Sequence, residues 1–504
     1  MHIKIAKILF LWYNILIKLR GVTMINNNKI DRNQSMIISL DEMVPENSIV
    51  RVIDAYVHSL DVIKLGYHVH TNKVGRPPYK IQDLIALFIY GYLYYLISSR
   101  ILESHTYINI EVMWLLNNAH PDHSTIAAFR SKNAEALANT FRDFVCICKD
   151  LNLIGGKIVA VDGTKIHANN NKKNNYSKKS LQKKIQHIDE QITEYFSELD
   201  KNDKSDIDLK SLSDRKSKYE DLPEKLEESE ETQISTVDPD ARLMDNKKGG
   251  LDVAYNIQAT VDAKNGLVID QYVINAPTDQ GELSNATSRA KKILSTKELI
   301  VLADKGYYNG EDLEKCLDMC ITPVVARQNP PKRKGMYSID EFVYNPETDS
   351  FSCPQNNILT KISGEDAKTT VYANKFACKS CPYKSQCFKQ NARRKYRTIN
   401  KDKHFPAMVK ADAIYKVCKK LYKRRQELNE PVFGCIKRQL GFPQLNVRTK
   451  RKVEGEVSLL FLGYNLKRVI KLIGNTELIQ YLRARRELLF KEIVVFFMPL
   501  SIYA

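Results

Sequence analysis

Two short apolar runs, "IVAVD" at 158–162 and "LIVLAD" at 299–304, constrain this chain more than any other feature. Each is brief, rich in β-branched residues, and ends on an aspartate. Runs of this kind predict strands buried on both faces. Gly163 and Thr164 follow the first; Gly306, Asn309 and Gly310 break the second before "EDLEKCL" begins a helix. In an open α/β sheet, ligands bind outside the carboxyl ends of the strands, where Asp162 and Asp304 would stand. Asp304 has a plainer alternative, which is to cap the turn behind it.

The neighbouring segments predict the rest of the sheet. "GGLDVAYNIQATVDAKNGLVIDQYVI" (249–274) alternates apolar and polar residues about Lys264-Asn265-Gly266, a hairpin signal. "ATSRAKKIL" reads as a helix leading into the second run, and "ITPVVARQ" as one more short strand, so the sheet is mixed α/β. Residues 75–150 read as helical. There "DHST" starts a helix with Asp122 or Ser124 as cap, and Arg130 and Lys132 ride on it. Ser, Thr and Arg in the first turns of a helix can dock on phosphates, though the same domain could serve packing alone. In the polar stretch 170–235, Leu181, Ile185, Ile188, Ile192, Phe196 and Leu199 recur at spacings of three and four, the pattern of one arm of a helical hairpin. The basic run before it, "NKKNNYSKKSLQKK", is a solvated linker or a DNA contact.

A net charge of +18 favours a polyanionic partner, with nucleic acid the first candidate. Ten Cys are too sparse for a disulfide scaffold. Four of them, Cys353, Cys378, Cys381 and Cys387, sit at turn-forming spacings that suit tetrahedral zinc; free thiols are the alternative. The apolar run from Ile8 to Ile17 is too short to span a bilayer and has no cleavage site behind it. Residues 1–23 therefore read as a non-native extension, with the natural start at Met24.

Beyond the cysteines, residues 391–425 are dense in Lys and Arg. Glu430 then opens an apolar segment with Phe433, Ile436 and Leu440 at helical spacing, and Lys437 stands two turns further along. Two strand-end Asp and one helix-borne Glu could meet at one sheet edge. Their mutual repulsion would be relieved by hard divalent cations, which favour carboxylate, phosphate and water oxygens. A pair of such ions can serve an in-line phosphoryl transfer.

The stretches "VAVDGTKIHAN", "DPDARLM", "AYNIQATVD", "LADKGYYNG" and Tyr422-x2-Arg425-x4-Glu430-PVFG-x2-Lys437 together resemble the DDE transposases of bacterial insertion sequences. "PPYKIQDLIALFIYGYLYYLISSR" and "HPDHSTIAAFR" resemble the N-terminal domain that accompanies them. The resemblance implies a ribonuclease H-like mixed sheet with flanking helices, an all-α N-terminal domain, a helical insert and a small zinc-ribbon-like insert. It divides the chain into a helical DNA-binding domain at 24–150, a catalytic core at 151–475 interrupted at 170–235 and 335–400, and a tail at 476–504. Asp162, Asp304 and Glu430 would be the acids, holding two Mg²⁺ or Mn²⁺ ions. Tyr422, Arg425 and Lys437 would contact transposon-end phosphates, with Arg130 a further DNA contact. The family signature is Y-x2-R-x3-E-x6-K, so Arg425 sits one residue too far upstream and Glu427 is a rival third acid. Asn256 and Gln258 lie on the family's polar strand, near the site or serving the hairpin.

The implied reaction is metal-assisted hydrolysis at the element's end, followed by attack of the freed 3′-hydroxyl on target DNA. A metal-dependent nuclease and an inactive DNA-binding derivative are the rival readings. The expected partners are terminal inverted repeats and target DNA, met as a homodimer, with no membrane, in the bacterial cytoplasm at the nucleoid.

Overall fold

The structure, a computed structural model, describes residues 37–69, 77–199, 207–228, 233–245, 250–328, 335–363, 369–388, 394–439 and 444–497. The proposed extension at 1–23 lies outside them, as do the last residues of the tail. The chain divides into two units, Met1–Pro45 and Glu46–Ala504. The described part of the first holds one helical turn, Leu40–Met43, closed by a Ser39/Glu42 capping box.

The second unit begins with helices α1 (Ile49–His58), α2 (Ile81–Tyr94), α3 (Ser99–Ile108), α4 (Ile110–Leu115), α5 (His123–Lys132) and α6 (Ala134–Asp150). Asp122 caps α5: its carboxylate accepts from the N–H groups of Ser124 and Thr125. Helix α2 is apolar all round because it is buried all round, from Leu84 to Leu93. Among the described residues no single helix is long and apolar enough to cross a membrane.

The central sheet is built from β1 (Ile158–His167), β4 (Arg242–Asp245), β5 (Leu251–Asp262), β6 (Val268–Ile274), β7 (Leu299–Ala303) and β8 (Ile321–Val325). β1 is antiparallel to β5 and parallel to β7, and β7 is parallel to β8. β6 and β4 share the far edge of β5. The two opening runs are thus neighbours at the centre. Val159, Ala160, Val161, Val301, Leu302 and Ala303 are all fully buried, as double-sided burial predicts. The β5–β6 hairpin turns where expected, with Gly266 at φ +65°. Asp262, at its base, accepts from the N–H groups of Gly155, Gly156 and Lys264.

Helices α10 (Leu283–Leu294), α11 (Gly310–Asp318), α13 (Phe405–Val417) and α14 (Lys419–Gly434) flank the sheet. Two more, α15 (Lys450–Ile473) and α16 (Asn475–Phe497), return to the start of the unit: α15 packs on α2 and α6, and α16 on α1. At the α15–α6 crossing a Cβ on Gly455 would stand 2.6 Å from the Ala134 carbonyl oxygen, so only glycine lets the backbones meet. Asn465 of α15 bonds the N–H and C=O of Val268, satisfying an edge-strand residue that has no further strand beside it.

The first insert is a helical hairpin: α7 (Lys178–Leu199), α8 (Ile207–Glu220) and α9 (Leu222–Glu228), tied at its base by β2 (Asn175–Ser177) and β3 (Gln233–Ser235). Tyr176, Leu181, Leu222 and Leu226 form its small core. The second insert is a five-stranded antiparallel sheet, β9 (Val343–Asn345), β10 (Ser350–Ser352), β11 (Ile358–Ser363), β12 (Thr369–Ala373) and β13 (Thr398–Asp402), with α12 (Lys375–Ser380) beside it. Phe342, Phe351, Leu359, Tyr372 and Ile399 fill its core.

Candidate active site

Val161 pairs with Ala303 in the parallel β1–β7 ladder, so the next step along both strands brings Asp162 and Asp304 side by side. Adjacent strands stand about 4.8 Å apart. Asp162 Oδ1 accepts from the Gly163 N–H at 2.9 Å, and its Oδ2 lies 3.4 Å from Arg425 Nη1. Burial pushes the Asp162 carboxyl up to about 6; Arg425 pulls against that rise, while Asp304 and Asp279 add to it. Asp304 Oδ1 accepts from the Gly306 N–H at 2.6 Å, closing the tight turn Lys305–Tyr307. The capping role is therefore real, but it occupies one oxygen, and Oδ2 makes no hydrogen bond among the described residues.

Helix α14 covers this edge. Asp304, Lys305, Tyr422, Lys423, Arg425 and Gln426 line an open cleft of about 280 Å³. A water occupies about 30 Å³, so the cleft has room for a phosphodiester. The Arg425 guanidinium also lies 5.9 Å from the centre of the Tyr422 ring. Glu430 is exposed on the same helix. At about 100° per residue Glu430 is roughly 40° around from Gln426 and Glu427 roughly 40° around from Lys423, so both acids flank the cleft face. Pro431 breaks the helical hydrogen bonding directly after Glu430, and a π-helical turn follows at Cys435–Gln439. Asn429 is buried, and among the described residues neither of its side-chain polar atoms has a partner, nor does Arg425 Nε. Lys437 donates to the Lys165 carbonyl of β1 at 2.9 Å. Among the described residues no three His, Cys, Asp or Glu side chains are gathered closely enough to hold a metal ion. The structure joins Asp162, Asp304 and Arg425, and leaves Glu430 facing solvent.

Asn256 and Gln258 do approach the site. Both are buried, and both donate to Asp279 Oδ1, at 2.8 and 2.7 Å. Gln258 Oε1 accepts from the Tyr307 hydroxyl. Burial raises the Tyr307 phenol far above its ordinary value, which keeps it a donor. Asp279 was not among the residues the sequence suggested. It lies in a loop just ahead of a helix, where an isolated Asp looks like any cap residue.

Arg130 requires a correction. It is buried, and its guanidinium donates to the Tyr92 hydroxyl and the Ile97 carbonyl, with Glu456 at 3.7 Å. It ties the N-terminal helices to α15 and is not offered to DNA.

Cys353, Cys378, Cys381 and Cys387 line one cavity in the second insert, and none is disulfide-bonded. The Asn357 N–H points at Cys353 Sγ, 3.4 Å away. Burial pushes the Cys387 thiol up to about 11, and the other three cysteines are close enough to add to the rise.

Residues 352–470 match a family model described as a transposase DDE domain, and residues 38–132 match one described as a transposase domain. Among curated proteins none matches in sequence. Among solved structures, the cryo-EM structure of a piggyBac transposase synaptic complex with hairpin DNA aligns over 90% of this chain and 80% of that one. The two are 8% identical with a TM-score of 0.29, too loose a likeness to argue from. Two transposase models fall in order along one chain, the second spanning the α14 segment with Glu430. Together these two matches support a DDE transposase of an insertion sequence.

Proposed function

We propose that this transposase cuts DNA at the ends of its element and joins the freed 3′-hydroxyl to target DNA, using Asp162, Asp304 and Glu430 with two Mg²⁺ or Mn²⁺ ions in a ribonuclease H-like core. The observation that carries the reading is the register of β1 and β7, which sets Asp162 and Asp304 side by side at the carboxyl ends of two buried strands. An antiparallel β6–β5–β1 half joined to a parallel β1–β7–β8 half supports the core assignment.

The residues fit a hard divalent ion. Mg²⁺ takes one or two carboxylates and completes its shell with phosphate and water oxygens, a donor set these two Asp provide. Burial raises Asp162 first, the charges of Asp304 and Asp279 add to the rise, and a cation would offset both. Bound there, such ions supply Lewis-acid stabilisation of the attacking and leaving oxygens. Asp162 and Asp304 would hold the ions, through which the reacting phosphate would be oriented. Glu430 reaches the pair when α14 shifts about its Pro431 break, and the shift gives the buried Asn429 amide the partners it lacks. Arg425 exchanges Asp162 for a DNA phosphate, and Tyr422 and Lys437 flank the same strand. The exposed Lys419, Lys420, Lys423 and Arg424 extend the basic face. Joining two ends calls for a dimer on DNA, acting at the bacterial nucleoid. The four cysteines line one cavity and would draw closer together around one structural Zn²⁺, which would close the end of the second insert.

The test is an assay with Mg²⁺, a labelled terminal inverted repeat and a target plasmid. Joined product is expected from the wild type, and none from Asp162→Asn, Asp304→Asn or Glu430→Gln, while Glu427→Gln stays active. Nicking without joining would make the protein a nuclease. A mobility shift without cleavage would make it a DNA-binding derivative.

A further inference from the structure

Asp279 is wedged between the two strand-end acids. A Cβ at Gly163, the residue after Asp162, would stand 2.3 Å from Asp279 Oδ1, 2.7 Å from Gln258 Nε2 and 3.0 Å from Asn256 Oδ1. A Cβ at Gly306, two residues after Asp304, would stand 2.8 Å from Asp304 Oδ1 and 4.0 Å from Asp279 Oδ2. Gly163 leaves the room that this carboxylate fills, while Gly306 leaves room for Asp304 Oδ1 and stands at ordinary contact distance from Asp279. Its Oδ1 is fixed by the Asn256 and Gln258 amides, and its Oδ2 makes no hydrogen bond among the described residues.

The clamp leads on to Asp304. Gln258 takes the Tyr307 hydroxyl on its other side, and Tyr307 is fully buried in the turn that Asp304 closes. Gln258 also pairs with Gly163 in the β1–β5 ladder. One set of bonds therefore spans both acids, running from Asp279 through Gln258 to the Tyr307 turn. A neutral Asn at 279 would satisfy the same two amides. An Asp adds negative charge beside two other carboxylates, which is unfavourable unless a cation shares the site.

We propose that Asp279 is a positioning residue of the catalytic centre: clamped by Asn256 and Gln258, it holds Asp304 opposite Asp162 through Gln258 and Tyr307, and its charge draws the divalent cation to the pair. The inference rests on the reading of Asp162 and Asp304 as metal ligands.

The test is Mn²⁺ binding to the full-length protein, followed by electron paramagnetic resonance, with thermal melting of each variant alongside. Outer residues that orient metal ligands typically change affinity about 10–100-fold. Asp279→Asn keeps an acceptor for the amides and removes the charge; it is expected to weaken Mn²⁺ about tenfold with little change in melting, and added Mn²⁺ restores end nicking. Tyr307→Phe cuts the link and keeps the charge; it is expected to weaken Mn²⁺ several-fold, and it carries the test should Asp279→Asn not fold. Asp162→Asn is the control. If Asp162→Asn loses Mn²⁺ while Asp279→Asn and Tyr307→Phe bind like wild type, the positioning role is overturned and the ligand reading survives. If Asp162→Asn itself binds like wild type, both fall.

Discussion

Arg425 Nη1 stands 3.4 Å from Asp162 Oδ2, joining two residues 263 positions apart in the chain. Both side chains are mostly buried, so the contact is only weakly screened by water. A guanidinium here offsets the charge of the carboxylate that is to bind a cation, and it comes from the helix that carries Glu430. On the proposed function, DNA phosphates and divalent ions would compete for the two halves of one ion pair.

Arg425→Ala is expected to do two opposite things. In DNA-free protein it strengthens Mn²⁺ binding several-fold, because Asp162 is released. On transposon-end DNA it lowers affinity, and the slope of log K against log salt becomes shallower by about one, the signature of one lost phosphate contact. Titrations at three or more salt concentrations check it. An unchanged slope would leave Arg425 with a purely internal role.

The Arg130–Glu456 pair is the main polar tie between the N-terminal helices and α15. Glu456 is fully buried and accepts from the Tyr92 hydroxyl and from the N–H groups of Asn446 and Val447. Removing one partner of such a pair strands the other, at a cost of about 3–5 kcal/mol. Arg130→Ala should lower the urea midpoint accordingly, while the folded protein binds DNA as wild type does. A folded Arg130→Ala protein with weakened DNA binding would contradict the structural assignment.

Asp349 gives the second insert an acid-sensitive joint. Its Oδ1 accepts from Lys401 at 2.6 Å, Tyr344 at 2.7 Å and Tyr372 at 2.8 Å. These bonds, Lys401 first, lower its carboxyl to about 2. An unfolded Asp titrates near 3.9, so between about 2 and 4 the unfolded chain binds the extra proton. The stabilisation is complete above pH 4 and fades as pH falls toward 2. Half the side chain is exposed, so solvent keeps the effect modest. Asn tolerates the φ of +43° found at this position. Melting scans should show Asp349→Asn below wild type at pH 5, with the gap narrowing at pH 3.

The cysteine cavity predicts one zinc per chain. Thiol modification of purified protein should release one equivalent to a colorimetric chelator, and Cys381→Ser should release none and melt earlier. Retention of wild-type melting without zinc would return the four residues to free thiols.

The two buried strands, the hairpin at Asn265-Gly266, the capped start of α5 and the first arm of the helical insert were all legible in the sequence. Each rests on local pattern: β-branched runs, alternation, a side-chain cap, a period near 3.6. Arg130 was misread for the same reason. Arg130 lies in the last turn of α5, and basic residues on a helix look alike until the fold says which face is covered; the partner that buries this one lies on α15 at Glu456. Asp279 escaped notice because the glycines and amides that frame it come from three separate segments.

The sequence alone determined which segments become strands and helices and which residue types end them, because backbone preference and hydrophobic period act over a few neighbours. Only the tertiary structure decided that Asp162 and Asp304 share an edge, that Asp279 joins them, that Arg425 lies on Asp162, and that Arg130 turns inward. Those relations depend on strand register and helix packing between residues hundreds of positions apart, where a one-residue slip would exchange the buried face for the open one.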